Sequence, residues 1–477
     1  MSSATSFVDP PPRRHERLDP DRAAATGFWT APLRDAARRP APSRRAADWL
    51  AGLAGLGLGI TVALAVTAES AGSLAALGGP ATAAGRLAGL VAAYLMLITV
   101  LLVARIPALD RAIGHDRLVA WHRRLGPWPL FLVAAHGLLI TIGYAQAARS
   151  GVLHEFWTLL MTYPGVLAGT VGFGLLVAAG VTSYRKARRK LSYETWWTVH
   201  LYTYLALVLA FSHQVATGAS FVGHPLAQVW WTTIWVGTAG VALAYRVFLP
   251  ILRSAYHRLR VVSVQEEGPG VVSIICKGHR LDRLPLHGGQ FMQWRFLTRG
   301  LWWQAHPYSV SALPHPPYLR VTIKDLGDHS AAVARLRPGT GIAVEGPYGS
   351  FTRHARSRDK VLLAGAGVGI TPVRALLEDL PAEVDVTMLV RASTPADLVL
   401  RDEISELVEA RGGRLHELVG SRTEVALDPR SLQRLVPDLG RREVYVCGPD
   451  GFNDLIRRAA HAAGVRRNRF HVEAFAF

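Results

Sequence analysis

Residues 118–145 read LVAWHRRLGPWPLFLVAAHGLLITIGYA, and residues 194–217 read ETWWTVHLYTYLALVLAFSHQVAT. Each stretch is long and apolar enough for a helix to cross the roughly 30 Å hydrocarbon core of a bilayer. Ionisable side chains at that depth are costly and usually functional. Each stretch nevertheless carries two histidines, which are His122 and His136 in the first and His200 and His213 in the second. The two stretches therefore predict a membrane fold and single out four candidate functional residues.

Four further apolar runs complete a predicted bundle of six membrane-spanning helices within residues 46–255. They lie near residues 48–68, 86–105, 164–184 and 228–250. The links after the second and fourth runs are rich in Arg and Lys. The only Arg or Lys residues assigned to the other three links are Arg86 and Arg149. Because basic loops stay on the cytoplasmic side, both termini are predicted to be cytoplasmic. The chain is thus expected to be a multi-pass protein of the cell membrane, in contact with lipid.

The net charge of +18 does not indicate a nucleic-acid-binding protein. In the first half of the chain the arginines lie mainly in residues 1–45 and in short loops between apolar runs, and no basic stripe of interleaved aromatic residues is present. Residues 1–45 are rich in Pro, Arg and Ala and are predicted to be a disordered cytoplasmic tail. The two isolated cysteines, Cys276 and Cys447, offer neither metal-site spacing nor a disulfide framework.

The second half of the chain has the composition of a soluble protein and changes its pattern once. Over residues 256–355, short strands such as LRVVSVQ and YLRVTIKD are broken by Gly and Pro, which predicts an antiparallel β-barrel. Over residues 356–477, apolar strands alternate with helices, which predicts an α/β domain with a parallel sheet. The predicted fold is therefore a multidomain membrane protein: an all-α six-helix bundle, then a β-barrel, then an α/β domain.

The four membrane histidines are predicted to form two layers. His122 and His136 are 14 residues apart, and His200 and His213 are 13 apart, so each pair spans roughly 20 Å of helix. Since both helices start on the cytoplasmic side, His122 should lie level with His200 and His136 with His213. Each level can supply both axial ligands of one haem iron. Thirteen residues turn a helix about 140° away from a whole number of turns, so the fifth helix is distorted or its imidazoles reach the haems from different sides.

This arrangement resembles the membrane domain of the ferric reductase and NADPH oxidase superfamily, whose third and fifth helices carry histidines with the same spacing. The resemblance covers nearly the whole chain after residue 45 and includes the basic segment SYRKARRKLSYETWWTVH at residues 183–200. It implies two b-type haems, an FAD-binding barrel and a nucleotide-binding domain that takes NADPH or NADH.

The resemblance implies a flavin site in the barrel. The stretch HPYS resembles the flavin motif of ferredoxin-reductase-type barrels, with Tyr308 beside the flavin ring and Ser309 near its N5 edge. A Gly-Asp-His-Ser sequence opens a short helix whose N–H groups can hold the FAD diphosphate. A Gly-Pro-Tyr-Gly sequence closes the barrel. The cofactor-binding residues implied are His306, Pro307, Tyr308, Ser309, Gly327, Ser330, Gly346 and Gly349.

The resemblance implies a nicotinamide site in the α/β domain. A Gly-rich turn follows an apolar strand and precedes a helix, the context required of a phosphate-binding turn. Its implied binding residues are Gly365, Gly367, Gly369, Thr371 and Pro372. The sequence Cys447-Gly448-Pro449 ends the last clear strand, where the family has a cysteine near the nicotinamide ring; a buried structural cysteine is the alternative.

Two further features bear on the nicotinamide. No acidic residue follows the strand VDVTMLV to hold a ribose 2′-hydroxyl, and Arg391 and Ser393 stand there instead, which favours NADPH over NADH. The chain ends FHVEAFAF. Relatives close with an aromatic residue that covers the flavin, so Phe475 or Phe477 is expected in that role; an apolar tail packed on the sheet is the alternative.

The expected function is a transmembrane NAD(P)H oxidoreductase. Electrons would pass from NAD(P)H to FAD, then to the haem at His122 and His200, and then to the haem at His136 and His213. Ferric iron or a ferric chelate is the favoured acceptor, and oxygen (giving superoxide), a quinone or a partner protein are the alternatives. A rival class is a haem-free protein: a membrane-anchored flavin carrier or sensor, or an iron transporter.

Overall fold

The computed structural model describes residues 26–30, 44–188, 190–191, 193–218, 221, 224–421, 424–425 and 427–473. These residues divide into two compact units. One lies within Ala41–Pro250 and is called the membrane unit. The other combines residues of Met1–Pro40 with Ile251–Phe477 and is called the soluble unit. The expected flavin lid residues, Phe475 and Phe477, lie outside the described residues.

The membrane unit is built of α-helices. After a short N-terminal helix α1 (Thr26–Trp29), which belongs to the other unit, the helices are α2 (Arg44–Thr67), α3 (Ala71–Ala75), α4 (Gly79–Val103), α5 (Pro107–Ile113), α6 (His115–Leu125), α7 (Pro127–Ala148), α8 (Val152–Thr162), α9 (Val166–Ser183), α10 (Arg185–Arg188), α11 (Tyr193–Thr217) and α12 (Pro225–Leu243). A π-helical turn, Ala244–Phe248, leads into α13 (Leu249–His257). Large apolar side chains such as Leu153 and Leu226, both 86% exposed, point outward as expected of a surface in contact with lipid.

Among the described residues, five helices are long and apolar enough to cross a membrane, whereas the sequence predicts six. They are Ala47–Thr67, Gly79–Val103, Arg117–Ala148, Val166–Ser183 and Pro225–His257. The predicted fifth span is present as the 25-residue helix α11. Its two histidines and its Thr, Ser and Gln residues make it less apolar than the other five helices. The predicted count of six spans is reached only if α11 also crosses the membrane.

A short piece of the predicted disordered tail is folded. Residues 26–30 form a helical turn in which Trp29 is only 1% exposed, packed in the soluble unit. Composition predicts disorder because Pro and Arg dominate the tail, but one Phe-Trp pair supplies enough apolar surface to bind locally. The rest of residues 1–43 lies outside the described residues.

The first part of the soluble unit contains two antiparallel sheets of three strands each. Their strands are β1 (Arg260–Gly268), β2 (Val271–Lys277), β3 (Phe291–Phe296), β4 (His306–Ser309), β5 (Tyr318–Lys324) and β6 (Ile342–Tyr348), with the helix α14 (Asp328–Val333) after β5. One sheet has the order β1-β2-β5 and the other β4-β3-β6. Both contribute to one apolar core, in which Ile274, Trp294 and Val321 are fully buried.

The two sheets do not form one closed barrel, which differs from the sequence prediction. Single bridges join them at Arg260–Gly341 and at Val310–Val321. The strands alternate apolar and polar residues as a barrel requires, but closure depends on continuous pairing between distant strands. Here β4 is only four residues long, and the segment after it pairs with β5 through a single bridge. The hydrogen-bond ladder between the two sheets is therefore interrupted.

The second part of the soluble unit is the predicted parallel α/β domain. Its strands are β7 (Lys360–Ala366), β8 (Asp385–Ala392), β9 (Arg414–Val419), β10 (Glu443–Cys447) and β11 (Phe470–Glu473), arranged in the order β11-β10-β7-β8-β9. Its helices are α15 (Ile370–Asp379), α16 (Arg401–Glu409), α17 (Pro429–Leu435) and α18 (Asp450–Ala462). All strand pairs are parallel, so the carboxyl ends of β7, β8 and β10 meet at one edge.

Arg442 ties the amino-terminal edge of this sheet together. Its side chain is fully buried and donates to the carbonyl of Val361 at 3.1 Å, to Asp385 and to Asp438 at 2.7 Å. Burial opposes ionisation of Asp438, but hydrogen bonds from Arg442 and Lys360 outweigh it and lower the pKa of Asp438 from 3.8 to about 2. The stabilisation from Asp438 is therefore present above pH 4 and is lost as the pH falls through about 2.

We expect Arg442→Met to destabilise the soluble unit by about 3 kcal/mol, the lower end for breaking a buried ion pair, because its carboxylate partners stay partly exposed. The temperature at which the unit becomes susceptible to protease should fall by roughly 6–12 °C. Arg441→Met, at the exposed neighbouring position, is the matched control and should leave that temperature unchanged. Equal effects of the two substitutions would contradict the role given to Arg442.

Candidate functional site

The four membrane histidines face each other in two pairs. The ring centroids of His122 and His200 are 6.1 Å apart, and those of His136 and His213 are 6.4 Å apart. Since an imidazole nitrogen lies about 2 Å from a metal ion that it ligates, two opposed ligating rings have centroids about 6 Å apart. Each pair therefore has the separation needed to hold one metal centre between its rings.

Hydrogen bonds set the tautomer of the two histidines on the third span. Nδ1 of His122 lies 3.0 Å from the carbonyl oxygen of Thr99, and Nδ1 of His136 lies 2.8 Å from that of Gly85. A carbonyl oxygen can only accept, so each Nδ1 carries the proton. The Nε2 lone pair is then left for a metal, the arrangement that metal-ligating histidines usually adopt.

The histidines of α11 are held by different neighbours. The ring of His200 stacks on that of Trp196 with centroids 5.2 Å apart, and its Nδ1 lies 3.4 Å from the hydroxyl of Ser183. His213 packs against Gly165 and Gly169 of the preceding span. Because α11 is α-helical throughout, its two imidazoles leave it in directions about 140° apart. The helix is therefore not distorted, and the rings reach their partners from different sides.

Glycines make room beside the histidines. A Cβ atom on Gly89 would lie 2.7 Å from Nδ1 of His136, and one on Gly165 would lie 2.9 Å from Cα of His213. Sequence reasoning missed these glycines. Gly85 and Gly89 are four residues apart on one span, a small-xxx-small spacing that marks close helix approach and could have revealed them.

The predicted flavin residues cluster at one end of β4. The rings of His306 and His329 lie against each other with centroids 3.7 Å apart and a tilt of 34°, and the Tyr308 hydroxyl lies 3.1 Å from Nδ1 of His329. Burial raises the pKa of Tyr308, so its hydroxyl stays protonated. The buried hydroxyl of Ser309 has no hydrogen-bond partner among the described residues. A buried polar atom without a partner is costly, and a bound cofactor atom would satisfy it.

A cavity of about 480 Å³ opens beside His329. Its lining includes three arginines, Arg299, Arg335 and Arg337, which sequence reasoning did not select. No motif marks them, because each stands in a loop or just after α14. The cations suit an anionic group such as a diphosphate.

The other predicted flavin residues shape the backbone. The Ser330 hydroxyl contacts Asp325 at 3.0 Å and the Gly327 carbonyl at 2.9 Å, so it closes the turn before α14. Gly346, in a cis bond to Pro347, and Gly349 both have φ in the left-handed region, at 133° and 101°, and shape the end of β6.

The Gly-rich turn and Cys447 meet at the carboxyl edge of the parallel sheet. Gly365 pairs with Cys447 in register across β7 and β10. A Cβ on Gly369 would lie 2.4 Å from the Cys447 carbonyl oxygen, so only glycine fits there. The Thr371 hydroxyl donates to the Val368 carbonyl at 2.9 Å and fixes the start of α15. Burial, and then the charge of Glu473, raise the pKa of Cys447, so its thiol stays protonated.

The remaining nucleotide residues flank that edge. Gly448 and Pro449 directly precede α18. Pro372 follows Thr371 in the first turn of α15. Arg391 donates to the carbonyls of Leu418 at 2.9 Å and Ser421 at 3.0 Å, whereas Ser393 is exposed. The structure thus brings Gly365, Gly369 and Cys447 together and leaves Arg391 engaged with backbone carbonyls.

Known families match three successive segments of the chain. Residues 88–211 match the ferric reductase like transmembrane component, residues 257–352 an FAD-binding domain, and residues 363–458 an oxidoreductase NAD-binding domain. The match to the transmembrane component includes three of the four facing histidines, His122, His136 and His200, and ends two residues before His213.

Individual relatives resemble part of the chain. The glycine betaine monooxygenase reductase subunit of Chromohalobacter salexigens is 28% identical over 35% of this chain, and the chain spans half of that relative's length. An NADPH oxidoreductase of Mycobacterium tuberculosis is 27% identical over 49% of this chain and 67% of its own length. The FAD/NAD-binding domain of a nitric oxide dioxygenase from Vibrio cholerae aligns with 46% of this chain and 98% of its own, at 24% identity and a TM-score of 0.40.

The three matches occur in the order of a membrane domain, a flavin domain and a nicotinamide domain. The chain is a multi-pass membrane protein and an oxidoreductase that binds FAD and a nicotinamide nucleotide. Its domain architecture is that of the ferric reductase and NADPH oxidase superfamily.

Proposed function

We propose that this chain carries electrons from NAD(P)H through FAD and two b-type haems to an acceptor on the far side of the cell membrane. The observation that carries the proposal is the two facing pairs of imidazoles, with centroids 6.1 and 6.4 Å apart. Two opposed imidazoles at this separation suit an iron that takes two axial nitrogen ligands. A haem-free carrier or transporter would not need either pair.

The residues have separate roles in this proposal. His122 and His200 would hold the inner haem, and His136 and His213 the outer one. When bound, FAD accepts a hydride from the nicotinamide, which is thereby oxidised, and passes the two electrons on singly. Tyr308 would pack beside the flavin, Ser309 would offer its unpaired hydroxyl, and the protonated Cys447 would lie near the nicotinamide. The cavity arginines would hold the FAD diphosphate.

The acceptor and the nucleotide are the finer parts of the proposal. The match to the ferric reductase like transmembrane component favours ferric iron or a ferric chelate as the acceptor. A carboxylate directly after β8 would hold the ribose 2′-hydroxyl of NADH, and none stands there. Asp397, further on, accepts hydrogen bonds from Thr394. Both observations favour NADPH over NADH. With basic links on the inner side, both termini would be cytoplasmic.

We expect His136→Ala or His213→Ala to lower the haem content per FAD by about half, because each removes one axial ligand of one of two haems. The reduced-minus-oxidised b-type spectrum of the purified protein measures this content. His154→Ala and His224→Ala are the matched controls, since both histidines are exposed. Unchanged haem in the first two variants would contradict the assignment.

Tyr308→Ala should weaken FAD binding roughly ten-fold, because an aromatic partner beside the flavin contributes about 1.5 kcal/mol. Tyr308→Phe keeps the ring and loses only the contact with His329, so it should weaken binding about two-fold. Fluorescence titration of the FAD-depleted protein gives both constants. Equal binding by the Ala and Phe variants would exclude ring packing against the flavin.

The acceptor is tested in proteoliposomes with NADPH supplied on the face that carries the soluble unit. Ferric-chelate reduction and superoxide formation are then assayed on the opposite face. We expect ferric-chelate reduction, faster with NADPH than with NADH, and its loss in His213→Ala. Superoxide with no ferric reduction would instead make the chain an oxidase.

A further inference from the structure

The N-terminal turn of residues 26–30 occupies a site on the soluble unit that nothing in the proposed electron path explains. Trp29 is 1% exposed and packs with Phe28 against Ile275 and Tyr318. The rings of Phe28 and Trp29 also contact His315, with centroids 5.4 and 5.5 Å apart. An aromatic side chain seated so deeply, from a segment distant in sequence, indicates a specific docking site.

Polar contacts fix the docked turn in register. The Arg374 guanidinium donates to the Trp29 carbonyl at 2.8 Å, and the Arg320 guanidinium lies 4.8 Å from the centre of the Trp29 ring. The Thr30 hydroxyl donates to Glu406 at 2.9 Å. Hydrophobic burial alone is not directional, whereas the two arginine contacts hold the backbone and the ring in one orientation. The bond from Thr30 goes to the exposed Glu406, and water can replace it.

The docked turn covers a buried group of charges that joins two domains. Arg320 of β5 pairs with Glu403 of α16, with Nη2 of Arg320 2.6 Å from the carboxylate. Arg374 of α15 contacts Glu403 at 3.0 Å and also pairs with Glu378. These four side chains are at most 7% exposed. Two cations balance two anions, and Trp29 excludes water from them, which strengthens each pair.

Each arginine under Trp29 is also connected to a cofactor segment. Arg320 donates from Nε to the Ser311 hydroxyl at 3.1 Å, and Ser311 follows Ser309 by two residues. Arg374 stands on α15, which begins directly after the Gly-rich turn. Trp29 therefore contacts two arginines, of which one is bonded to the segment after β4 and the other stands on the helix after the Gly-rich turn.

We propose that Phe28 and Trp29 form an intramolecular latch that holds the FAD-binding sheets against the nucleotide-binding domain and so sets the rate of hydride transfer. This inference rests on the proposed function. Hydride transfer requires the two rings in close contact, and a misplacement of about 1 Å can slow a reaction by a hundred-fold. Trp29 is thus a positioning residue, which acts through Arg320 and Arg374.

The test measures flavin reduction by NADPH in the full-length protein by stopped flow. Trp29→Ala should slow reduction at saturating NADPH about ten-fold, while the FAD content is kept and the NADPH dissociation constant changes less than about three-fold. Trp29→Phe, which keeps an aromatic face, should restore most of the rate. Thr30→Val is the matched control in the same turn and should change the rate less than about two-fold.

Phe28→Ala serves as a second variant if Trp29→Ala does not retain FAD, because Phe28 is only partly buried. Wild-type rates in whichever of these variants retains FAD would overturn the latch. Hydrogen exchange supplies a measurement that does not depend on redox activity. Amides of β5 and α16 should exchange at least about ten-fold faster in Trp29→Ala than in Thr30→Val.

Unchanged exchange in both elements would also overturn the latch. The two proposals can be separated, because flavin that NADPH fails to reduce in the unaltered protein contradicts the proposed function alone. Hydrogen exchange then still decides whether Trp29 holds the two domains together.

Discussion

The hydrogen bonds from His136 to the Gly85 carbonyl and from His122 to the Thr99 carbonyl constrain the whole membrane unit. Each fixes the orientation of an imidazole and at the same time the distance between two spans. Helices can come this close only where the facing side chains are absent, which explains Gly89 beside His136. Once the third span is held in this way, α11 must present its own histidines at matching depths. The spacing of 14 and 13 residues satisfies that requirement, with α11 continuous and the third span divided at Gly126 into α6 and α7.

In the soluble unit, a close approach between backbones occurs at the carboxyl edge of the parallel sheet. Parallel strands bring their carboxyl ends together, and Gly369 lets the nucleotide turn approach the Cys447 backbone more closely than any side chain would permit. The unpaired hydroxyl of Ser309 and the cavity arginines lie in the other domain of the same unit. In the proposed function, neither domain alone would contain a complete redox site. The buried pairs between Arg320, Arg374 and Glu403 join the two domains and would thereby position the two cofactors.

The sequence was most informative where a period or a motif was present. Histidine spacing predicted the two facing pairs, and the strand–turn–helix pattern around Gly365 predicted the parallel sheet. The barrel was predicted as closed, but closure depends on pairing between distant strands, which alternation cannot report. Trp29 was missed because a single aromatic pair in a Pro- and Arg-rich segment has no period, and its site is formed by residues hundreds of positions away. Arg391 was selected by position alone, yet its donors are used by the Leu418 and Ser421 carbonyls.

The contact between Arg374 and Trp29 joins residues 345 positions apart. A ribosome makes Trp29 before the helices of the membrane unit, whereas Arg374 and Glu403 follow them. During synthesis the aromatic turn therefore has no site to occupy until the nucleotide-binding domain has folded. Burial of Trp29 therefore indicates that the FAD-binding sheets and the nucleotide-binding domain have both folded.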